Sequence, residues 1–189
     1  MTVPRYLFVA LPPQAVVDAL KTFLDDQGLT SQLGGTMFQP FNWHQSLSGQ
    51  FWQTAGIEAK LRAAGELLSA RQVEFQMNRI VGRGTHWEFK PFGNPPGFTD
   101  LLAAVQAALR AVGVSDRGGH SPHMTVSYWA PTALRSVKIG PPIRWTIDTV
   151  SLVCGMADQS GYRYELVRQW PLHAAAPKAQ HELFPDEGN

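Results

Sequence analysis

The sequence predicts an α+β domain, and three observations carry that reading. Strand-like and helix-like segments follow one another in the order strand, helix, strand, and that order occurs in both halves of the chain. The middle strand of each half carries a histidine followed two residues later by a hydroxyl, in "HQSL" at 44–47 and "HMTV" at 123–126. The 189 residues suffice for one substantial domain or two closely packed lobes, so the core should need no disulfide or metal to hold it.

The elements run as follows. "RYLFVALPP" reads as a strand over Arg5 to Leu11, ended by Pro12 and Pro13, which also suit the first turn of a helix. Val16, Val17, Leu20, Phe23 and Leu24 then recur at helical spacing in "QAVVDALKTFLDDQG". A Gly-, Ser- and Thr-rich loop at 28–39 leads to "FNWHQSLSG" as a second strand; 56–70 is helical, and "VEFQMNRIVG" is a third strand. In the second half "THWEFKPFG" alternates, with Trp87 and Phe89 on one face and His86, Glu88 and Lys90 on the other. "PGFTDLLAAVQAALRAVG" is a helix with Leu101, Leu102, Val105, Ala108 and Leu109 on one side and Gly113 as its stop. The turn "SDRGGHSP" feeds the strand "HMTVSYW", whose Met124, Val126 and Tyr128 should face the core. Two late strands, "RWTIDTVSLVCG" and "YRYELVRQWPL", close the domain around a hairpin turn "MADQSG". Residues 1–172 therefore read as one domain and 173–189, rich in Ala, Pro and acidic residues, as a flexible C-terminal tail.

Composition narrows the function classes. A formal charge of +1 provides no global field for nucleic acid, so any RNA contact must be local. The single cysteine, Cys154, forms no internal disulfide and reads as packing within "VSLVCG"; this usage fits a reducing, cytoplasmic setting. No apolar stretch approaches the roughly 18 residues of a membrane span, and "MTVPRYLFVALPP" resembles a first strand more than a signal peptide.

Residues i and i+2 of a strand face the same side, so His44 projects with Ser46 and His123 with Thr125. An imidazole moves a proton, and a neighbouring hydroxyl donates a hydrogen bond to an anionic oxygen. If the two strands lie side by side, two such rows share one cleft, an arrangement suited to opening a cyclic phosphodiester. One neutral histidine takes a proton from the attacking oxygen, the other, protonated, gives one to the leaving oxygen, and the hydroxyls steady the phosphoryl oxygens. The chemistry needs no metal. His120 stands three residues before His123, yet no carboxylate sits at a spacing that completes a metal site.

"HQSL" and "HMTV" resemble the paired H-x-[S/T]-hydrophobic signatures of the two-histidine (2H) phosphoesterase superfamily. With "RYLFVALPP" at the start and "PHMTV" after a turn, the chain looks like the bacterial RNA 2′,3′-cyclic phosphodiesterase and 2′-5′ RNA ligase branch. The resemblance covers residues 4 to about 172. It implies two pseudo-symmetric lobes of antiparallel sheet, with helices outside and a central cleft. It also implies His44 and His123 as the catalytic acid–base pair, Ser46 and Thr125 as phosphate-binding hydroxyls, and no cofactor. The expected substrates are RNA ends bearing a 2′,3′-cyclic phosphate or small cyclic nucleotides, opened to 2′-phosphomonoesters, with 2′-5′ ligation as a side activity and a monomeric chain. The alternatives are a small cyclic phosphate such as ADP-ribose 1″,2″-cyclic phosphate, or a non-catalytic nucleotide- or RNA-binding module.

Two departures stand out. Ser46 takes the place of the more usual Thr, and "SYW" follows the second motif where that branch often has an arginine. Further candidates for lining the cleft are Trp129, on the His123 face of a regular strand, His120, and Arg117 on the glycine-rich turn. His86, Glu88 and Lys90 read as a solvated strand face.

Overall fold

The computed structural model of the protein describes residues 3–158 and 161–174. Strand β1 (Arg5–Ala10) is buried from Tyr6 to Ala10, as an apolar run inside a sheet should be. Pro13 then caps helix α1 (Gln14–Asp26), which buries Val16, Val17, Leu20 and Leu24 on one side. At Gly28 the chain turns with φ of 65°, a conformation glycine adopts without a Cβ clash, and a short helix α2 (Leu29–Leu33) follows. The loop expected over 28–39 is thus partly helical. Leu29 and Leu33, four residues apart, share a helix face and are both buried, which outweighs the Gly/Ser/Thr composition.

The second expected strand is also shorter. A 3₁₀ turn at Pro40–Asn42 leads into β2 (Gln45–Ser46), and β3 (Phe51–Trp52) resumes pairing further along the same strand β1. After them come α3 (Ile57–Leu67), β4 (Val73–Arg83), β5 (His86–Lys90), α4 (Phe98–Ala111) and β6 (Met124–Ser127). Three long strands end the described chain: β7 (Leu134–Ile147), β8 (Thr149–Asp158) and β9 (Gly161–Pro171).

These strands make two antiparallel sheets. One runs β2-β1-β8-β9 with β3 also on β1; the other runs β6-β5-β4-β7. The lobes do not coincide with the halves of the sequence. Strand β4 closes the first half but pairs with β5 and β7, and the chain returns to the first sheet only with β8 and β9. The single strand expected at 144–155 is two strands in different sheets: Ile147 pairs with Val73, Thr149 with Pro171, and Asp148 lies at the crossing. Of the hairpin turn expected at 156–161, Met156, Ala157, Asp158 and Gly161 belong to the strands, while 159 and 160 lie outside the described residues.

One apolar core spans both sheets. Trp43, before β2, meets Phe89 of β5 edge-on at 5.8 Å, and Phe8 of β1 meets Trp170 of β9 at 5.9 Å. Gly65 inside α3 lies so close to the Trp170 ring that any side chain there would collide with it. His173, the first residue of the expected tail, bridges to Arg71, and its N–H donates to the Ala70 carbonyl at 2.9 Å; residues 175–189, the rest of that expectation, lie outside the described ones. No helix among the described residues is long and apolar enough to cross a membrane.

Candidate active site

Each motif sits on the edge strand of its own sheet, β2 in one and β6 in the other. In the first, burial alternates through Trp43, His44, Gln45, Ser46 and Leu47: the odd-numbered residues are buried, and His44 and Ser46 are partly exposed. The period of two therefore holds although the ladder covers only two residues. The His44 ring is oriented by its own backbone, with Nδ1 at 2.7 Å from the Asn42 carbonyl. A carbonyl only accepts, so Nδ1 carries the proton of the neutral ring and Nε2 is its bare nitrogen. Asn42 is itself tied to β9, donating from Nδ2 to the Tyr162 carbonyl at 2.8 Å and accepting the Tyr164 N–H at 3.2 Å. The Tyr164 ring packs edge-on against His44 at 4.8 Å. Burial pushes the His44 pKa below its ordinary value, the His123 charge adds to this, and the Asn42 carbonyl opposes it.

The second motif repeats the device. His123 Nδ1 lies 2.8 Å from the carbonyl of Ser121, again two residues upstream. Met124 and Val126 are fully buried and Thr125 is paired with Glu88 of β5. The strand then stops. The hydroxyl of Ser127 donates to the Thr36 carbonyl at 2.8 Å and accepts the Trp129 N–H at 3.0 Å, so the chain leaves the ladder at Tyr128. Tyr128, expected in the core with Met124 and Val126, is instead 50% exposed, its ring edge-on to Phe38 at 5.2 Å.

A single buried amide joins the two motifs. Gln45, fully buried beside His44, accepts the His123 N–H on Oε1 at 2.7 Å. Its Nε2 donates to the Ser46 carbonyl at 2.8 Å and to the Ser121 carbonyl at 3.2 Å. That last carbonyl is the one that orients His123, so a residue of the first motif holds the backbone on which the second histidine depends.

A cavity of about 560 Å³ opens between the lobes, and His44, Ser46, His123 and Thr125 all line it. Trp129 lines it too, 73% exposed, together with Phe38, Tyr128, Tyr162 and Tyr164. His120 and Arg117 are not among its lining residues. Arg117 is exposed on its turn, and His120 is partly buried elsewhere, its Nε2 enclosed without a partner among the described residues. Burial lowers the His120 pKa, with Asp116 opposing.

Three features escape a reading of the motifs alone. Arg5, at the head of β1, is the one arginine or lysine among the lining residues; it donates to Gln50 at 2.6 Å and lies over the Trp52 ring at 4.7 Å. A charge opening an otherwise apolar strand was the available signal. Tyr164 comes from the last strand, and nothing local marks it. Glu88 is buried rather than solvated, its charge met by Lys90 at 2.9 Å. The alternation identified its face correctly, but not that β6 pairs alongside, setting Thr125 next to it and His123 Nε2 at 3.9 Å from its carboxylate.

No family model and no curated protein sequence matches the chain. Solved structures do. Escherichia coli LigT in its apo form superposes with a TM-score of 0.76 at 18% identity, covering 91% of this chain and 99% of LigT. E. coli LigT complexed with 3′-AMP gives 0.77 at 14% identity, with 90% and 99% covered. A crystal structure described as a phosphoesterase gives 0.74 at 15% identity, with 89% and 98% covered. The chain thus has the two-sheet α+β fold seen in LigT and in that phosphoesterase.

Proposed function

We propose that the protein is a phosphodiesterase that opens a 2′,3′-cyclic phosphate, on an RNA 3′ end or a nucleotide, to a 2′-phosphomonoester. The observation that carries this reading is the convergence of His44, Ser46, His123 and Thr125 on one cavity. In support, each imidazole gives Nδ1–H to a carbonyl two residues upstream, which leaves both Nε2 atoms for proton transfer.

Neutral His44 is the base and takes a proton from the attacking water. Its lowered pKa supports this assignment, since the uncharged ring prevails near neutrality. The water oxygen bonds to phosphorus, the bond from phosphorus to the 3′ oxygen breaks, and protonated His123 gives its proton to that oxygen. Ser46 and Thr125 donate to the non-bridging oxygens as charge builds on them. Arg5 supplies the cation that the resemblance expects shortly after the second motif, where "SYW" stands instead. The exposed Trp129 ring offers a stacking face for a base. Ligation to a 2′-5′ linkage follows from the same groups when a ribose hydroxyl replaces water.

The test is turnover of 2′,3′-cyclic nucleotides, ADP-ribose 1″,2″-cyclic phosphate and RNA bearing a cyclic end, each with chelator present. Hydrolysis of the 2′,3′-cyclic ends to 2′-phosphates that survives chelation is the expected result. Loss of activity on chelation overturns the two-histidine mechanism, and binding of a 2′-nucleotide without turnover at any pH makes the protein a binding module.

A further inference from the structure

Beside Thr125, outside the residues that line the cavity, β5 carries a row of ionisable side chains that the proposed reaction does not use. Glu88 is only 8% exposed. Its Oε1 accepts from Lys90 Nζ at 2.9 Å, and its Oε2 lies 4.0 Å from His86 Nε2 and 3.9 Å from His123 Nε2. His86 Nε2 is also 3.2 Å from the hydroxyl of Thr125, and its ring leans on Tyr128 at 4.9 Å. In the ladder, His86 is paired with Arg83 of β4.

A threonine hydroxyl has one proton and cannot give it in two directions. If His86 Nε2 were bare, Thr125 would have to donate to it and would turn lone pairs toward an anionic phosphate. If Nε2 carries hydrogen, Thr125 accepts that bond and keeps its own proton for the cleft. The Thr125 oxygen at 3.2 Å is within hydrogen-bond reach of Nε2, and the Glu88 carboxylate at 4.0 Å sets a negative potential there, so the Nε2–H tautomer is the one the surroundings select. Burial, ahead of the other influences, lowers the His86 pKa; Glu88 opposes it, while His123 and Lys90 add to it.

We propose that His86 is a positioning residue that donates from Nε2 to Thr125, aiming the threonine proton at the substrate's non-bridging oxygen, while Glu88, neutralised by Lys90, holds that tautomer. The inference rests on the phosphodiesterase reading of the cavity and adds a third histidine to it, one that touches no reacting atom.

The experiment combines kinetics on a 2′,3′-cyclic nucleotide with nitrogen NMR of the His86 ring in the folded, substrate-free protein. His86→Ala should lower kcat/KM by about tenfold, the scale of one lost hydrogen bond. His86→Gln, whose amide nitrogen reaches where Nε2 stood, should recover most of it. In a Thr125→Val background, His86→Ala should change kcat/KM by less than about twofold, because the group it acts through is gone. NMR should find the proton on Nε2. A proton on Nδ1, an unchanged rate in His86→Ala, or an equal loss in the Thr125→Val background each overturns the proposal while wild-type turnover stands. Absence of wild-type turnover instead overturns the phosphodiesterase reading. Titration with inorganic phosphate then decides for His86: weaker binding in His86→Ala, restored in His86→Gln, supports the positioning role, and equal binding ends it.

Discussion

The two histidine half-sites share a backbone device and differ in almost everything around it. Each ring gives Nδ1–H to a carbonyl two residues upstream, and each follows a turn onto an edge strand. Around His44 the packing neighbours are uncharged: Tyr164 packs on its ring, Trp43 and Leu47 are buried on either side, and burial, ahead of the His123 charge, disfavours its imidazolium. Around His123 the neighbours are ionisable, with Glu88 Oε2 at 3.9 Å and the His86 ring 6.3 Å away. The same local geometry thus sits in two different electrostatic settings, as the acid and the base of the proposed reaction would require.

The largest effect should come from removing either ring. His44→Ala and His123→Ala should each lower kcat by about 10²–10⁴-fold in assays of cyclic nucleotide opening, with folding intact by circular dichroism. Near-normal turnover in both would dissolve the comparison. Next are the hydroxyls: Thr125→Val and Ser46→Ala should cost up to about 10²-fold in kcat with smaller changes in KM, because a donor aimed at developing charge acts mainly in the transition state.

Gln45 tests the link between the halves. Gln45→Ala leaves the His123 N–H without its buried acceptor and should cost about 1–3 kcal/mol in urea unfolding. It should also lower kcat, since the Ser121 carbonyl that orients His123 loses a donor. Gln45→Glu separates the two bonds: it keeps an acceptor for the His123 N–H but has no N–H for Ser121. Equal stability in all three proteins would mean that the half-sites hold their positions independently. Trp129→Ala, at the mouth of the cavity, should raise KM for nucleotide substrates by about fivefold or more while leaving kcat near its starting value, on the scale of one stacked base.

The smallest effect concerns pH. His44, His86 and His120 all have pKa values lowered from 6.5 by burial first, so the unfolded chain takes up protons before the folded one does. Their contribution to stability is present above about pH 6.5 and is lost as pH falls through the lowered folded-state values. Chemical denaturation at several pH values should show stability declining on the acid side, and His120→Asn should flatten part of that slope without changing turnover. A slope of the opposite sign would mean that the histidines gain partners on folding rather than lose water.

Much of this site was legible along the chain. Period two placed His44 with Ser46 and His123 with Thr125 on common faces, and helical spacing located α1, α3 and α4. Other parts were not. Strand β7 contains Gly140, Pro141 and Pro142, which argue against a strand, yet it pairs with β4 at the sheet's edge, where a missing backbone donor is tolerated. Tyr128 left the core because Ser127 spends its hydroxyl on Thr36 and Trp129, bonds invisible to periodicity.

Which residues share a face follows from the order of residues alone, since side-chain direction is set by backbone geometry one residue at a time. Which faces meet is settled by the packing of the whole chain. The passage of the chain from one sheet to the other at Asp148, the return of β9 to bring Tyr164 against His44, and the burial of Glu88 beside Thr125 of β6 all depend on partners far away in sequence. Strand pairing is chosen by the fit of whole surfaces, and a local pattern of apolar and polar residues is compatible with many partners until the core excludes all but one.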